Sequence, residues 1–240
     1  MMCVARRRSE TEHSTAYMVA RFAMGTYKMR GLFLPLLFLP FLLCPALAQQ
    51  SPWEIEAESA STHVLLFADS VEIKTSAGLT LWWRWPMSVP FTLEYEAMVC
   101  QRDSTDRLSD LNCFWLATDP TVPDGSPLQR IGERNGVFAQ AATLRLYYLG
   151  YGGNWNTTTR FRRYHARPQP PLLREYTDSA HLLRPNHWYR IRIEATAQRT
   201  RYYIDGELLV DYADPEPLQR GWFGFRTTWS HCLLRHFRVR

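Results

Sequence analysis

The segment from Tyr151 to Tyr164 holds three arginines, two asparagines, three threonines and four aromatic residues within fourteen positions. Guanidinium forks match carboxylates and sulfates, while amides and aromatic rings suit the hydroxyls and C–H faces of sugars, so this composition points to an acidic glycan. Read as a strand, residues 157–164 put Thr158, Arg160, Arg162 and Tyr164 on one face and Thr159, Phe161 and Arg163 on the other. One face then presents two guanidinium groups and a phenol in a row. The competing reading is that these arginines pair with Asp or Glu of neighbouring strands and belong to the scaffold.

Three chemistries fit these residues. Elimination from a uronate needs a group that neutralises the sugar carboxylate, a base for the acidified ring proton and an acid for the leaving oxygen. Arg160, Arg162, Asn154 and Asn156 meet the first need, and Tyr164, His165 and His231 the other two. Tyr164, Arg162 and His231 are therefore the candidate catalytic set, with Asn154, Trp155, Asn156, Arg160 and Arg226 as candidate substrate-binding residues. His231 is read equally well as a structural histidine near a strand end. Hydrolysis would use Glu94 and Glu96, which stand two apart in an alternating run and so share a face. Glu54, Glu56 and Glu58 alternate in the same way, and a solvated outer face is the ordinary reading for them. The third option is binding without turnover, with aromatic rings packed on sugar faces. Trp82, Trp83, Trp85, Tyr147 and Tyr148 are the obvious sources, although period two sends Trp83 and Trp85 opposite Trp82 and makes most of that cluster core.

The elements that must position these groups are strands. Trp53 to Glu58, Val71 to Lys74, Leu79 to Arg84 and Phe91 to Val99 alternate or are rich in β-branched and aromatic residues, and turn signals separate them. Further runs cover 112–117, 144–151, 157–164, 188–195, 200–204, 207–212, 222–227 and 233–239, about a dozen in all. Asp205-Gly206 between two runs predicts a two-residue hairpin. No window carries a helical stripe. Many short antiparallel strands in one domain predict an all-β sandwich or jelly roll rather than a barrel or propeller. Arg167 to Pro171 reads as a stiff loop able to wall one side of a groove.

Leu32 to Pro45 is an apolar run flanked by Lys28 and Arg30 and followed by Ala46-Leu47-Ala48, which predicts a secretory signal cleaved before Gln49. Residues 1–48 are thus read as a leader and 49–240 as a single domain, secreted or periplasmic, with no membrane span once the signal is removed. The long polar stretch before Met29 leaves Met24 or Met29 as alternative starts, and Cys44 lacks the small preceding residue of a lipoprotein signal. Of 28 basic and 23 acidic residues, six and two fall in the leader, so the remainder carries 22 − 21 = +1. That near-balance argues against a nucleic-acid partner. The oligomeric state is left open.

Cys100, Cys113 and Cys232 remain after the leader, allowing at most one internal disulfide. Cys113 reads as a buried thiol, with a Cys100–Cys113 bridge as the alternative. Asp103, Asp106 and Asp110 form an acidic loop, and Asp119, Asp124 and Asp214 sit in turns. A structural Ca²⁺ is conceivable there, but no calcium-loop spacing is present and turn capping is the simpler reading. No other cofactor is indicated. Asp106 or Asp110 would also be natural partners for the central arginines. Gly150 to Gly153 lacks the lysine and the strand-to-helix context of a phosphate loop, and its glycines are read as allowing close backbone approach.

The runs Asp106 to Pro120 and Tyr151 to Tyr164, together with Glu175-Tyr-Thr-Asp178 and Gly221-Trp-Phe-Gly-Phe-Arg-Thr227, resemble an uncharacterised family of secreted bacterial domains. Those domains are related in shape to concanavalin A-like jelly rolls and YesU-like proteins. The resemblance covers most of residues 53–240. It implies a two-sheet jelly roll whose concave face could hold a saccharide, in proteins associated with polysaccharide use, and it brings no established catalytic residue. The bacterial resemblance also leaves the sequon Asn156-Thr-Thr158 unmodified. The ending Tyr202 to Arg226 is similar as well to laminin-G-type and keto-disaccharide hydrolase sandwiches.

Overall fold

The computed structural model describes residues 51–103 and 106–240. The predicted signal, Cys44 and the cleavage point before Gln49 lie outside the described residues. The strands are β1 (Trp53–Ala57), β2 (His63–Leu66), β3 (Ser70–Trp83), β4 (Met87–Ser88), β5 (Phe91–Val99), β6 (Leu111–Thr118), β7 (Arg145–Gly152), β8 (Thr158–His165), β9 (Leu172–Tyr176), β10 (Tyr189–Ala195), β11 (Arg199–Ile204), β12 (Glu207–Ala213) and β13 (Arg220–Val239). Helical pieces among the described residues are short, the longest being the six-residue 3-10 segment Phe138–Thr143. Asp205 and Gly206, at φ 51° and 93°, turn β11 into β12 as predicted.

Two of the predicted strand pairs are single long strands. Residues 71–74 and 79–84 belong to β3, where Thr75-Ser-Ala-Gly78 supplies small side chains that let the strand bend instead of stopping. Residues 222–227 and 233–239 belong to β13, whose pairing with β3 slips by one residue between Thr228 and Ser230. Both strands therefore serve two layers. The first layer runs β1, the second half of β3, the first half of β13, then β6, β7, β8 and β9. The second runs β2, the first half of β3, the second half of β13, then β5, β10, β11 and β12. The ladders are antiparallel, and the expected all-β sandwich is the observed fold.

The main core fills the space between the layers. Leu79, Leu81, Trp115, Leu149, Phe161 and Phe225 come from the first layer, and Ile73, Leu93, Val99, Ile191, Ile193 and Tyr202 from the second. A second cluster lies on the other face of the first layer, where Trp82, Phe114, Tyr148, Tyr164 and Trp222 pack with Leu128 and Ile131 of an overhanging segment. Glu56 ties that segment down. Its carboxylate accepts from Trp82 Nε1 at 2.9 Å, Arg134 Nη2 at 2.8 Å and the Gly136 amide at 3.2 Å. The solvated face expected for Glu56 is thus corrected: it is 5 % exposed, and the arginine and indole brought over it by the overhang compensate its charge.

Trp82 is buried and Trp83 packs on the main core against Trp53 and Phe237, as period two required, while Trp85 stays half exposed. Cys100, Cys113 and Cys232 are all buried free thiols, so the Cys100–Cys113 bridge is not formed. Burial pushes both Cys113 and Cys232 up to about 12. Three outcomes are expected. Glu56→Ala leaves Arg134 charged and buried without its main partner, which should cost roughly 3–5 kcal/mol in urea unfolding. The two thiols are protonated in both states below their ordinary pKa near 9 and ionise first in the unfolded chain, so stability should fall as pH rises from about 9 to 12. Alkylation at pH 8 should label neither until the chain unfolds.

Candidate functional site

The central arginine strand is regular, and its faces divide as the sequence predicted. Phe161 enters the main core, while Thr158, Arg160, Arg162 and Tyr164 line a cleft of about 480 Å³ on the outer face of the first layer. Asp110, Phe138, Tyr148, Gly150, Gly153, Asn154, Gln169 and Pro170 complete the lining. The floor is a cross-strand row in which Arg226 pairs with Asn112, Asn112 with Gly150, and Gly150 with Arg160. Gly150 has a steric reason: a Cβ there would fall 2.4 Å from the Tyr148 hydroxyl, so the missing side chain is what lets the phenol lie over the strand. The Arg167–Pro171 loop supplies Gln169 and Pro170 as one wall, as expected.

The arginines divide three ways. Arg163, on the opposite face, makes a buried pair with Asp214 at 2.9 Å, and Arg160 pairs at the surface with Glu175 of β9 at 2.5 Å. The scaffold reading holds for these two. Arg162 gives one hydrogen bond, from Nη1 to the Pro170 carbonyl at 2.8 Å, and meets no carboxylate among the described residues. Asp110 does not reach it, being taken by Arg107 at 2.9 Å and by the Asn112 amide at 3.2 Å. Tyr164 stands on the same face, and burial pushes its phenol up to about 12 against the opposing pull of Arg162 and Arg226.

Several candidates lie elsewhere. His231 is buried with Nε2 2.7 Å from Glu72 and Nδ1 3.7 Å from Asp106, beyond the register slip that turns β13 into the second layer. It is not in the cleft, and its contacts are those of a histidine built into the scaffold. His165, with the opposite parity to Tyr164, lines a separate hollow of about 760 Å³ with Arg145, Arg163 and Arg167, where burial and Arg163 lower its pKa. Asn156 spends its amide on Leu183, accepting the backbone N–H at 2.8 Å and donating to the carbonyl at 2.9 Å, so it joins two loops rather than facing the cleft. Arg226 is 3 % exposed. Its Nη1 is fixed on Thr80 Oγ1 at 3.0 Å and the Gly136 carbonyl at 2.9 Å beneath the Phe138 ring, a supporting place rather than a ligand contact. Asn154 does line the cleft, and Trp155 is exposed at its edge.

Glu94 and Glu96 share a face, but it is the outer face of the second layer, among Arg190, Arg192 and Arg238. Glu96 pairs with Arg235 at 2.7 Å and Glu94 lies 3.7 Å from Arg240. Among the acidic turns, Asp119, Asp124 and Asp214 accept the amides of Thr121, Ser126 and Glu216, which is turn capping. Among the described residues no three His, Cys, Asp or Glu side chains stand together as a metal set. Tyr148, one of the aromatic sources read from the sequence, lines the cleft, whereas Phe138 was missed as a cleft wall because it reads as an ordinary apolar position.

Residues 73–237 match the family described as a domain of unknown function, DUF6250. The chain belongs to that family. No curated protein matches this DUF6250 chain in sequence. Among solved structures it is similar to a Bacillus subtilis protein of unknown function with a galectin-like fold (TM-score 0.59, 14 % identity, 78 % of this chain and 88 % of that one). It is also similar to the carbohydrate binding module CBM66 from Bacillus subtilis (TM-score 0.53, 14 % identity, 79 % and 96 %). An endo-beta-1,3-glucanase from Pyrococcus furiosus gives TM-score 0.50 at 9 % identity over 80 % and 89 %. At these identities the likeness establishes the sandwich fold of the DUF6250 domain and nothing finer. No helix among its described residues is long and apolar enough to cross a membrane.

The two asparagines of the Gly153–Asn156 turn give a direct check. Asn156→Ala removes two hydrogen bonds to Leu183 and should lower unfolding free energy by about 1–3 kcal/mol, whereas Asn154→Ala, at a similar left-handed φ but losing only an exposed bond to Thr157, should cost about 1 kcal/mol less. Equal losses in chemical denaturation would contradict the division of roles.

Proposed function

We propose that this DUF6250 domain is an exported glycan-binding domain whose cleft takes an acidic saccharide, with the ligand's carboxylate or sulfate on Arg162. The observation that carries the reading is the state of Arg162: a guanidinium at the cleft wall with one donor spent on a carbonyl and no carboxylate partner among the described residues. A fork left in that state favours a planar anion. Asn154 offers a polar partner for hydroxyls and Phe138 offers ring surface, while Thr158, Tyr148 and Tyr164 line the cleft with little surface exposed. Two of the similar structures, a carbohydrate binding module and a glucanase, agree with a saccharide ligand. Export would follow from the apolar run at residues 32–45.

Binding is favoured over elimination because of the proton inventory. A lyase needs a base at working pH, yet the Tyr164 phenol is held up near 12 and His231 and His165 lie outside the cleft. Elimination stays as a second reading on one observation, the placement of Tyr164 on the same cleft face as Arg162. Hydrolysis by Glu94 and Glu96 has weaker support, since both carboxylates sit in an ion-paired surface lattice.

The test is a screen of the purified chain against pectic, alginate, ulvan and glucuronan polymers. It follows affinity-gel retardation, the ultraviolet absorbance of an unsaturated product and reducing ends. Retardation by an acidic polymer without either product signal is expected, and Arg162→Ala should weaken it by roughly ten- to a hundredfold, the value of a charge-assisted hydrogen-bond pair. Absorbance that disappears in Tyr164→Phe would replace binding by elimination. Retention unchanged in Arg162→Ala would remove the acidic-ligand reading.

A further inference from the structure

Beside the cleft stand two exposed tryptophans that the backbone holds at a cost. Trp155 is 62 % exposed and Trp229 47 %, and their φ angles are 59° and 43°. A bulky side chain enters that left-handed region only where its surroundings impose it. Trp155 lies in the Gly153–Asn156 turn between Asn154 and Asn156, themselves at 51° and 56°. Trp229 lies 74 positions later, at the slip between Thr228 and Ser230 that re-aims its side chain out of the sheet. The two ring centroids are 5.4 Å apart at an interplanar angle of 80°. Neither ring belongs to the core clusters, so neither the strain nor the exposure is explained by packing.

Arg107 braces this pair. Its guanidinium carbon is 4.5 Å from the Trp155 ring centroid, and its Nη1 donates at 2.7 Å to the carbonyl of Thr228, the residue before Trp229. The same group pairs with Asp110, which lines the cleft beside Gly153 and Asn154. One clamp therefore holds the Trp155 ring and the backbone that precedes Trp229, and joins both to the cleft wall. On the far side Trp229 and Arg107 border a smaller hollow of about 250 Å³ with Ser61, His63 and Lys74. The tryptophans stand between two hollows, on a path that leads from Arg162 across Asp110 and Arg107 to Lys74. Their 80° setting makes a corner rather than a flat apolar patch, which suits the face of one sugar ring better than a protein surface.

We infer that Trp155 and Trp229 form a second subsite that stacks a sugar ring neighbouring the one held by Arg162, so that the domain grips an internal stretch of polysaccharide rather than a chain end. The inference rests on the saccharide reading of the cleft. Aromatic stacking supplies affinity that does not depend on charge, and the strained backbone aims the rings before ligand arrives.

The experiment titrates the full chain with size-fractionated oligogalacturonates and alginate oligomers, from disaccharide to hexasaccharide, and with their carboxyl-reduced counterparts. Affinity should rise with length. Trp155→Gly and Trp229→Gly should each lose about tenfold on the longest oligomers and little on the disaccharide, while Arg162→Ala loses affinity at every length. Because glycine relieves a left-handed φ, the unfolding midpoint of both glycine variants should hold or rise. A midpoint that falls would mark the rings as structural and overturn the inference. Unchanged length dependence in the double variant would overturn it too, leaving the Arg162 reading intact. Length dependence that needs the tryptophans but ignores both Arg162→Ala and carboxyl reduction would keep the stacking subsite and remove the acidic one. Absence of binding to all of these oligomers would overturn both.

Discussion

The molecule depends on one strand being shared by two layers. β13 puts Phe223 and Phe225 into the core in its first half and Cys232 and Leu234 in its second, so the inward positions change from odd to even across the slip at Trp229. That change hands Arg226 to the outer face of the first layer and His231 to the outer face of the second, although only five positions separate them. Close approach is built in at the same strand. A Cβ on Gly221 would lie 2.3 Å from the Leu116 carbonyl carbon, and one on Gly224 would lie 2.9 Å from the Trp82 ring. The cleft floor, the buried histidine and the exposed indole are all consequences of that single crossing.

The outer face of the first layer would be an open sheet surface without the segment that hangs over it. Glu56 and Arg134 hold that segment with a buried ion pair at 2.8 Å, and Asp119 lies 3.6 Å from the same arginine. Such a pair adds little net stability after desolvation, and Arg134 Nε and Nη1 are left without hydrogen-bond partners. Its value is positional. It sets Gly136, whose carbonyl anchors Arg226, and two residues later Phe138, which forms a cleft wall over that guanidinium. Specificity of arrangement is a better account of this charge cluster than stability.

How much was legible in the sequence follows from where period two is obeyed. β8 is regular between Thr158 and His165, so the sidedness of Arg160, Arg162 and Tyr164 could be read directly from spacing. The same rule fails across β13: the sequence reading ends one strand at Thr227 and starts another at Leu233 with His231 between them, whereas one strand runs through a slip that sends His231 to the second layer. β9 was missed because Leu172 to Tyr176 is a short edge strand with mostly exposed side chains and no alternation to detect. Asn154 and Asn156 look alike in sequence, and only the left-handed turn between them sends one to the cleft and the other to Leu183. Trp229 carried a usable signal, a large aromatic beside two serine-sized neighbours in a strand, but exposure cannot be deduced from type alone.

The distribution of arginines decides what kind of recognition the domain can support. On the second layer several of them are spent on a lattice of carboxylates, with Arg235 on Glu96, Arg199 and Arg201 on Asp211, and Arg192 near Glu194. In and near the cleft, Arg107, Arg160 and Arg163 are likewise matched to Asp110, Glu175 and Asp214. The region after residue 48 carries a formal charge of only 22 − 21 = +1. No broad positive field is left to draw in polyanions at long range, which disfavours nucleic acid and nonspecific electrostatic capture. On the proposed reading, selectivity for an acidic saccharide would come from the Arg162 guanidinium at a defined place, with rings and amides around it fixing the rest of the sugar. On that reading recognition is short-ranged and geometric, in keeping with strained backbone and a buried ion pair that position the cleft walls rather than increase the cleft's charge.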